Sequence, residues 1–115
     1  MDAQELETIL LSSATEDYFA LYEAVWEINS RFPGETLGRK YDAVANALLN
    51  LQRQGWIRFE RKSAVEGSLQ YQAISDQEVN DILKNPVSWY PEYNGMTIGF
   101  SATDAGMKHY TSGRE

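Results

Sequence analysis

No cysteine occurs in the chain, which excludes a disulfide framework and any thiolate metal site. Histidine occurs once, at His109, so no Ser/His or Cys/His nucleophile arrangement finds support. No apolar run reaches the roughly eighteen residues of a membrane-spanning helix, and no membrane association is expected. The opening MDAQELETILLSS carries acids where a secretory signal carries Lys or Arg, so an export signal is not expected and a cytoplasmic location is the default. P-loop, G-x-G-x-x-G and EF-hand spacings are all missing. Asp76, Glu78 and Asp81 cluster, but helix capping accounts for the first two. Glu16-Asp17 and Glu23 with Glu27 read as solvated helix acids. The chain is therefore read as a non-enzyme without catalytic residues, metal or cofactor.

What remains is a chain of 115 residues, 43% hydrophobic, enough for one core and one domain spanning 1–115. The net charge of −7 opposes indiscriminate binding to nucleic acid or anionic lipid. That charge is uneven. Residues 31–62 hold seven bases against three acids, a local +4, which leaves −11 on the remainder.

The most informative stretch is Leu37–Lys62. Leu37, Tyr41, Val44, Leu48 and Leu51 recur at intervals of four and three, predicting an amphipathic helix to about Gln54. Glu35–Gly38 is either a very short helix or its first turn. Gly55 ends it, and Trp56–Lys62 alternates as a strand with Ile57 and Phe59 on one side. Ser63–Ser68 then reads as a turn, and Leu69–Ala73 as the second strand of a hairpin.

Upstream, Leu6, Ile9 and Leu10 predict a short helix over 3–11. Ser13 and Glu16 fit a capping box that starts a second helix, Glu16–Arg31, with Tyr18, Leu21, Tyr22, Val25, Ile28 and Phe32 as its core stripe. Trp26, on the flank of that stripe, and Trp56 are expected in or near the core. Downstream, Ile74 and Val79 make a hydrophobic staple around a Ser75/Glu78 capping box, and Asn85-Pro86 ends that helix. The aromatic run VSWYPEYNG follows. Met96, Ile98 and Phe100 alternate as a third strand, and Ser101 or Thr103 caps a last helix through Tyr110.

Two segments in this order carry a family likeness: Leu51-Gln52-Arg53-Gln54-Gly55-Trp56-Ile57, a helix running through L-x-x-x-G into a strand, and Phe100-Ser101-Ala102-Thr103-Asp104-Ala105-Gly106. With the helices before them, the chain resembles the winged helix-turn-helix superfamily, including small bacterial proteins of this build. The resemblance implies an α+β winged-helix-like fold of about five helices and a three-stranded antiparallel sheet, with residues 74–95 as an insertion. It also implies a DNA-binding regulator. Arg39, Asn46, Asn50 and Arg53 would lie on its recognition helix, where Arg and Asn suit base edges, and Arg58, Arg61 and Lys62 would meet phosphates of double-stranded DNA. Asp42 shares that helix face, and the same residues suit a solvated surface. The alternative is an acidic protein-interaction module without DNA binding, contacting a protein partner through Trp89, Tyr90 and Tyr93, or through the polar helix face. The same aromatic run also suits a loop that closes the core. A homodimer through residues 3–11 fits either class.

Overall fold

In the computed structural model, which describes residues 1–91 and 95–112, the chain is mixed α+β. Its elements are α1 (Ala3–Glu16), β1 (Phe19–Ala20), α2 (Leu21–Arg31), α3 (Leu37–Arg53), β2 (Ile57–Val65), β3 (Ser68–Ala73), α4 (Asp76–Lys84), a 3₁₀ turn (Pro86–Trp89), β4 (Met96–Ala102) and α5 (Asp104–Ser112). The sheet is antiparallel throughout, in the order β1-β4-β2-β3. It has four strands among the described residues, not three. The added strand, Phe19–Ala20, is two residues long and pairs with Phe100 and Gly99, too short to leave an alternating pattern.

Ile57, Phe59 and Phe100 turn from the sheet into the helices, and Phe59 lies opposite Phe100 in the register. Leu6, Leu10, Leu11 and Ala14 of α1 join them, with Leu21, Val25 and Ile28 of α2 and Val44, Leu48 and Leu51 of α3. α1 thus packs its apolar side on the core of its own chain.

Several boundaries differ from the sequence reading. Ser13 does not start a helix: its hydroxyl donates to the Ile9 carbonyl at 3.2 Å inside α1, because Leu10, Leu11 and Ala14 carry the buried face past it. The second helix begins instead at Leu21, where Glu23 Oε1 accepts the Ala20 N–H at 3.2 Å. In α3 the buried residues are Lys40, Val44, Ala47, Leu48 and Leu51; Leu37 shares their direction but stands at the first residue of the helix and is exposed. Lys40 buries its stem and donates from Nζ to Asn29 Oδ1 at 2.6 Å, tying α3 to α2. The hairpin turn is only Glu66-Gly67, both at positive φ, so β2 extends to Val65. Trp26 is 62% exposed, contrary to expectation: α2 turns Leu21, Ala24, Val25 and Ile28 to the core, and Trp26, next to Val25, falls about 100° away.

The end of α3 is closed with unusual completeness. Gly55, at φ 78°, sends its N–H to Gln52 O at 2.9 Å, and Trp56 N–H reaches Leu51 O at 3.1 Å. Thr103 then takes both carbonyls of this turn, donating its hydroxyl to Gly55 O (2.6 Å) and its N–H to Trp56 O (3.0 Å). The same Thr103 Oγ1 accepts Gly106 N–H at 3.0 Å and caps α5. A Cβ on Gly106 would lie 1.9 Å from Trp56 O. Gly106→Ala is therefore expected to cost about 3 kcal/mol of folding stability, read from the urea midpoint. A loss below about 1 kcal/mol would show that α5 can move off this turn.

Candidate functional site

A cavity of about 720 Å³ forms a groove between α3 on one side and α4 with the 3₁₀ turn on the other. It exists because the Ile74–Val79 staple buries both residues and presses α4, through Val79 and Leu83, against the core beside α3. Asn85 Oδ1 accepts Val87 N–H at 3.1 Å and starts the turn that carries Trp89 inward. Trp89 is buried, donates its indole N–H to Leu83 O at 3.0 Å and meets Tyr41 edge-to-face at 5.3 Å between centroids. Ala45, Leu49, Leu83 and Pro86 complete an apolar lining. Asp42 and Asn46 stand on the α3 side, Asn80 and Lys84 on the α4 side. Among the described residues none of these four side chains has a hydrogen bond or ion pair.

The residues expected to contact DNA are not gathered into one basic face. Asn46 lines the groove, and Asn50 Nδ2 donates to Glu7 Oε1 of α1. Arg39 pairs with Glu35 at 3.6 Å, while Arg53 is exposed at the last turn of α3. Strand alternation puts Arg58 and Lys62 on the face opposite Ile57 and Phe59 and sends Arg61 to theirs. Arg58 lies 3.8 Å from Glu60 and Arg61 3.3 Å from Glu78, so each of these bases has an acid beside it. Tyr90 sits at the mouth of the groove, and Tyr93 lies outside the described residues. Asn80, Lys84 and Leu49 escaped the sequence reading. The start signals of α4 were legible, but nothing local reports which helix it rests on.

Lys62 places its Nζ 5.5 Å from the ring centroid of Tyr18, whose edge meets Tyr71 at 5.4 Å. The Tyr18 hydroxyl donates to the carbonyls of Thr97 (3.2 Å) and Glu60 (3.3 Å). Burial pushes this hydroxyl up to about 12; the Thr97 side chain opposes the rise and Glu60 adds to it.

Among the described residues, no helix is long and apolar enough to cross a membrane, and no group of three or more His, Cys, Asp or Glu side chains is placed to hold a metal ion. Comparison with protein-family models, curated proteins and solved structures finds no match.

The Tyr18 environment has a measurable consequence. The unfolded chain loses this proton near pH 10 and the folded chain near 12, so Tyr18's contribution is complete below pH 10 and falls as pH rises from 10 to 12. Denaturant titrations across that window should show the stability gap between the wild type and Tyr18→Phe narrowing by about 1–2 kcal/mol, after discounting for the solvated edge of the ring. A gap that stays constant would mean the hydroxyl ionises as freely in the folded chain as in the unfolded one.

Proposed function

We propose that the chain is a protein-interaction module on a winged-helix-like frame, and that it binds a partner segment in the groove between α3 and α4. The frame reading is supported by α2 and α3 following one another across Phe32–Thr36, by the β2–β3 hairpin after α3, and by the Thr103–Gly106 element after β4. One observation carries the binding reading: an apolar groove of 720 Å³, lined by Tyr41 and Trp89, in which the side chains of Asp42, Asn46, Asn80 and Lys84 have no hydrogen bond or ion pair among the described residues. Such a lining suits a segment that inserts one aromatic or branched side chain and offers its backbone to Asn46 and Asn80. Asp42 and Lys84 oppose one another in sign, so the groove selects by shape and hydrogen bonding rather than by net charge.

A second reading, a DNA-binding regulator, rests on Arg39, Asn46 and Arg53 sharing one exposed stripe of α3. Against it, α4 flanks that stripe, Asp42 stands within it, and two of the three phosphate-side bases, Arg58 and Arg61, have acids beside them.

The two readings separate in one set of measurements. Peptides selected against the full chain from a random library should carry an aromatic or branched anchor. They should lose binding to Ala45→Trp, which fills the groove from α3, and keep it to Arg53→Ala. Random-sequence duplex DNA should bind more weakly than about 10⁻⁵ M even at low salt. Tighter DNA binding with a steep salt slope that Arg53→Ala reduces would overturn the groove reading, as would selected peptides indifferent to Ala45→Trp.

A further inference from the structure

Trp26 is the most exposed large hydrophobic side chain described, and α2 does not leave it isolated. Tyr22 and Trp26 stand one turn apart on the solvent side of α2, with Glu23 and Glu27 at the same spacing beside them, and Phe19 of β1 borders them. These five side chains line a shallow depression of 340 Å³. The Tyr22 ring meets the Trp26 ring edge-to-face at 5.0 Å, which holds the indole without covering it. Each carboxylate has one oxygen engaged: Glu23 Oε1 accepts the Ala20 N–H, and Glu27 Oε1 takes Arg31 Nε at 2.7 Å. The second oxygen of each has no partner among the described residues. Two bases lie nearby, Arg31 paired with Glu27 and Lys62 in the pocket it lines with Tyr22 and Glu23, while the chain as a whole carries a net charge of −7.

We infer that this stripe of α2 docks a basic segment of a partner protein, seating an arginine or lysine side chain on the face of Trp26 between Glu23 and Glu27. An indole face attracts a cation through its quadrupole, and flanking carboxylates supply the hydrogen-bond acceptors that a guanidinium or ammonium needs on leaving water. The chain's net charge of −7 raises the encounter rate with a basic segment and opposes nucleic acid and anionic lipid. An exposed tryptophan rimmed by charge is the composition found at protein contacts, where Trp and its cationic partners dominate affinity. This surface does not include the groove between α3 and α4 and stands or falls separately from it.

The test uses the full chain, ¹⁵N-labelled, with blocked tetra-arginine as probe and blocked tetra-glutamate as control. The Trp26 indole N–H signal, assigned by its loss in Trp26→Phe, should shift on adding tetra-arginine and stay still with tetra-glutamate. Trp26→Ala and Trp26→Leu keep the net charge and remove the ring from an exposed position, so both should fold; each should weaken tetra-arginine binding by about tenfold or more. Glu23→Gln with Glu27→Gln, which retains an acceptor for the Ala20 N–H, should weaken it several-fold and flatten its dependence on salt. Tetra-arginine binding that is equally tight in Trp26→Ala would show attraction to the acidic body alone and overturn the proposal. A Trp26 signal unmoved at saturating peptide would do the same.

Discussion

The structure depends on how the end of α3 is closed. Two carbonyls are left over where a helix stops and a strand starts within two residues, and leaving them unpaired where chain segments converge is costly. Thr103 satisfies both, and in the same few atoms it ends β4 and caps α5. Four elements therefore meet at one point: the end of α3, the start of β2, the end of β4 and the start of α5. Gly106 is required there because α5 approaches the Trp56 carbonyl too closely for any side chain, and the Trp56 ring is then covered by His109 in a stacked contact at 3.6 Å. This closure also sets strand register. Ile57 lies opposite Ala102, one residue from Thr103, so Ile57 and Phe59 face the helices. A slip of one residue would turn both to solvent and bring Arg58 inward.

A second constraint follows from where α4 comes to rest. A polar stripe on a long helix is chemically ambiguous, because Asn and Arg suit a base edge, a protein surface or plain water equally well. Here α4 and Trp89 form a wall along one flank of that stripe and Glu7 of α1 reaches Asn50 on another. Asp42 and Asn46 are left lining a concave, partly aromatic space instead of a convex polar ridge. Ion pairs narrow the ambiguity further: Glu35, Glu60 and Glu78 each stand beside a base otherwise free to meet phosphate, at separations where surface pairs are weak but local positive potential is much reduced.

Much of this was legible in the sequence. The L-x-x-x-G junction, the staple around Ser75 and the Thr103 cap are local signals, each written in residues a few positions apart, and each corresponds to an observed boundary. The capping box at Ser13 misled because a pattern of four residues competes with the burial of an entire helix face, and burial is the larger energy. The first strand was hidden because two residues cannot show a period. The burial of Lys40 was not legible, because charge normally excludes it; here its long apolar stem and the Asn29 acceptor offset that cost. The groove was out of reach for a different reason. Its two walls lie some forty residues apart in the chain, and no pattern in α4 says that Leu83 will lie across from Leu49.

Trp26 and Trp89 show why composition alone could not separate core from surface. Both are tryptophans beside apolar stripes, and the run around Trp89 is the more conspicuous in sequence. Yet Trp89 is the satisfied one: its N–H has the Leu83 carbonyl, its ring has Tyr41, and removing it would open the floor of the groove. Trp26 has a tyrosine edge and nothing else, with its indole N–H lacking a partner among the described residues. Folding accounts for the position of the first. It gives no reason for so large an apolar ring at the second, where a lysine or glutamine would serve the helix as well and expose less apolar surface. The two sites also differ in what they can select. As proposed binding surfaces, the groove, with one cation, one anion and two amides, would discriminate by shape, whereas the α2 stripe, with Glu23 and Glu27 beside the indole, would discriminate by charge. A partner that used both would be held in one orientation, because its basic side chain and its apolar anchor cannot exchange places.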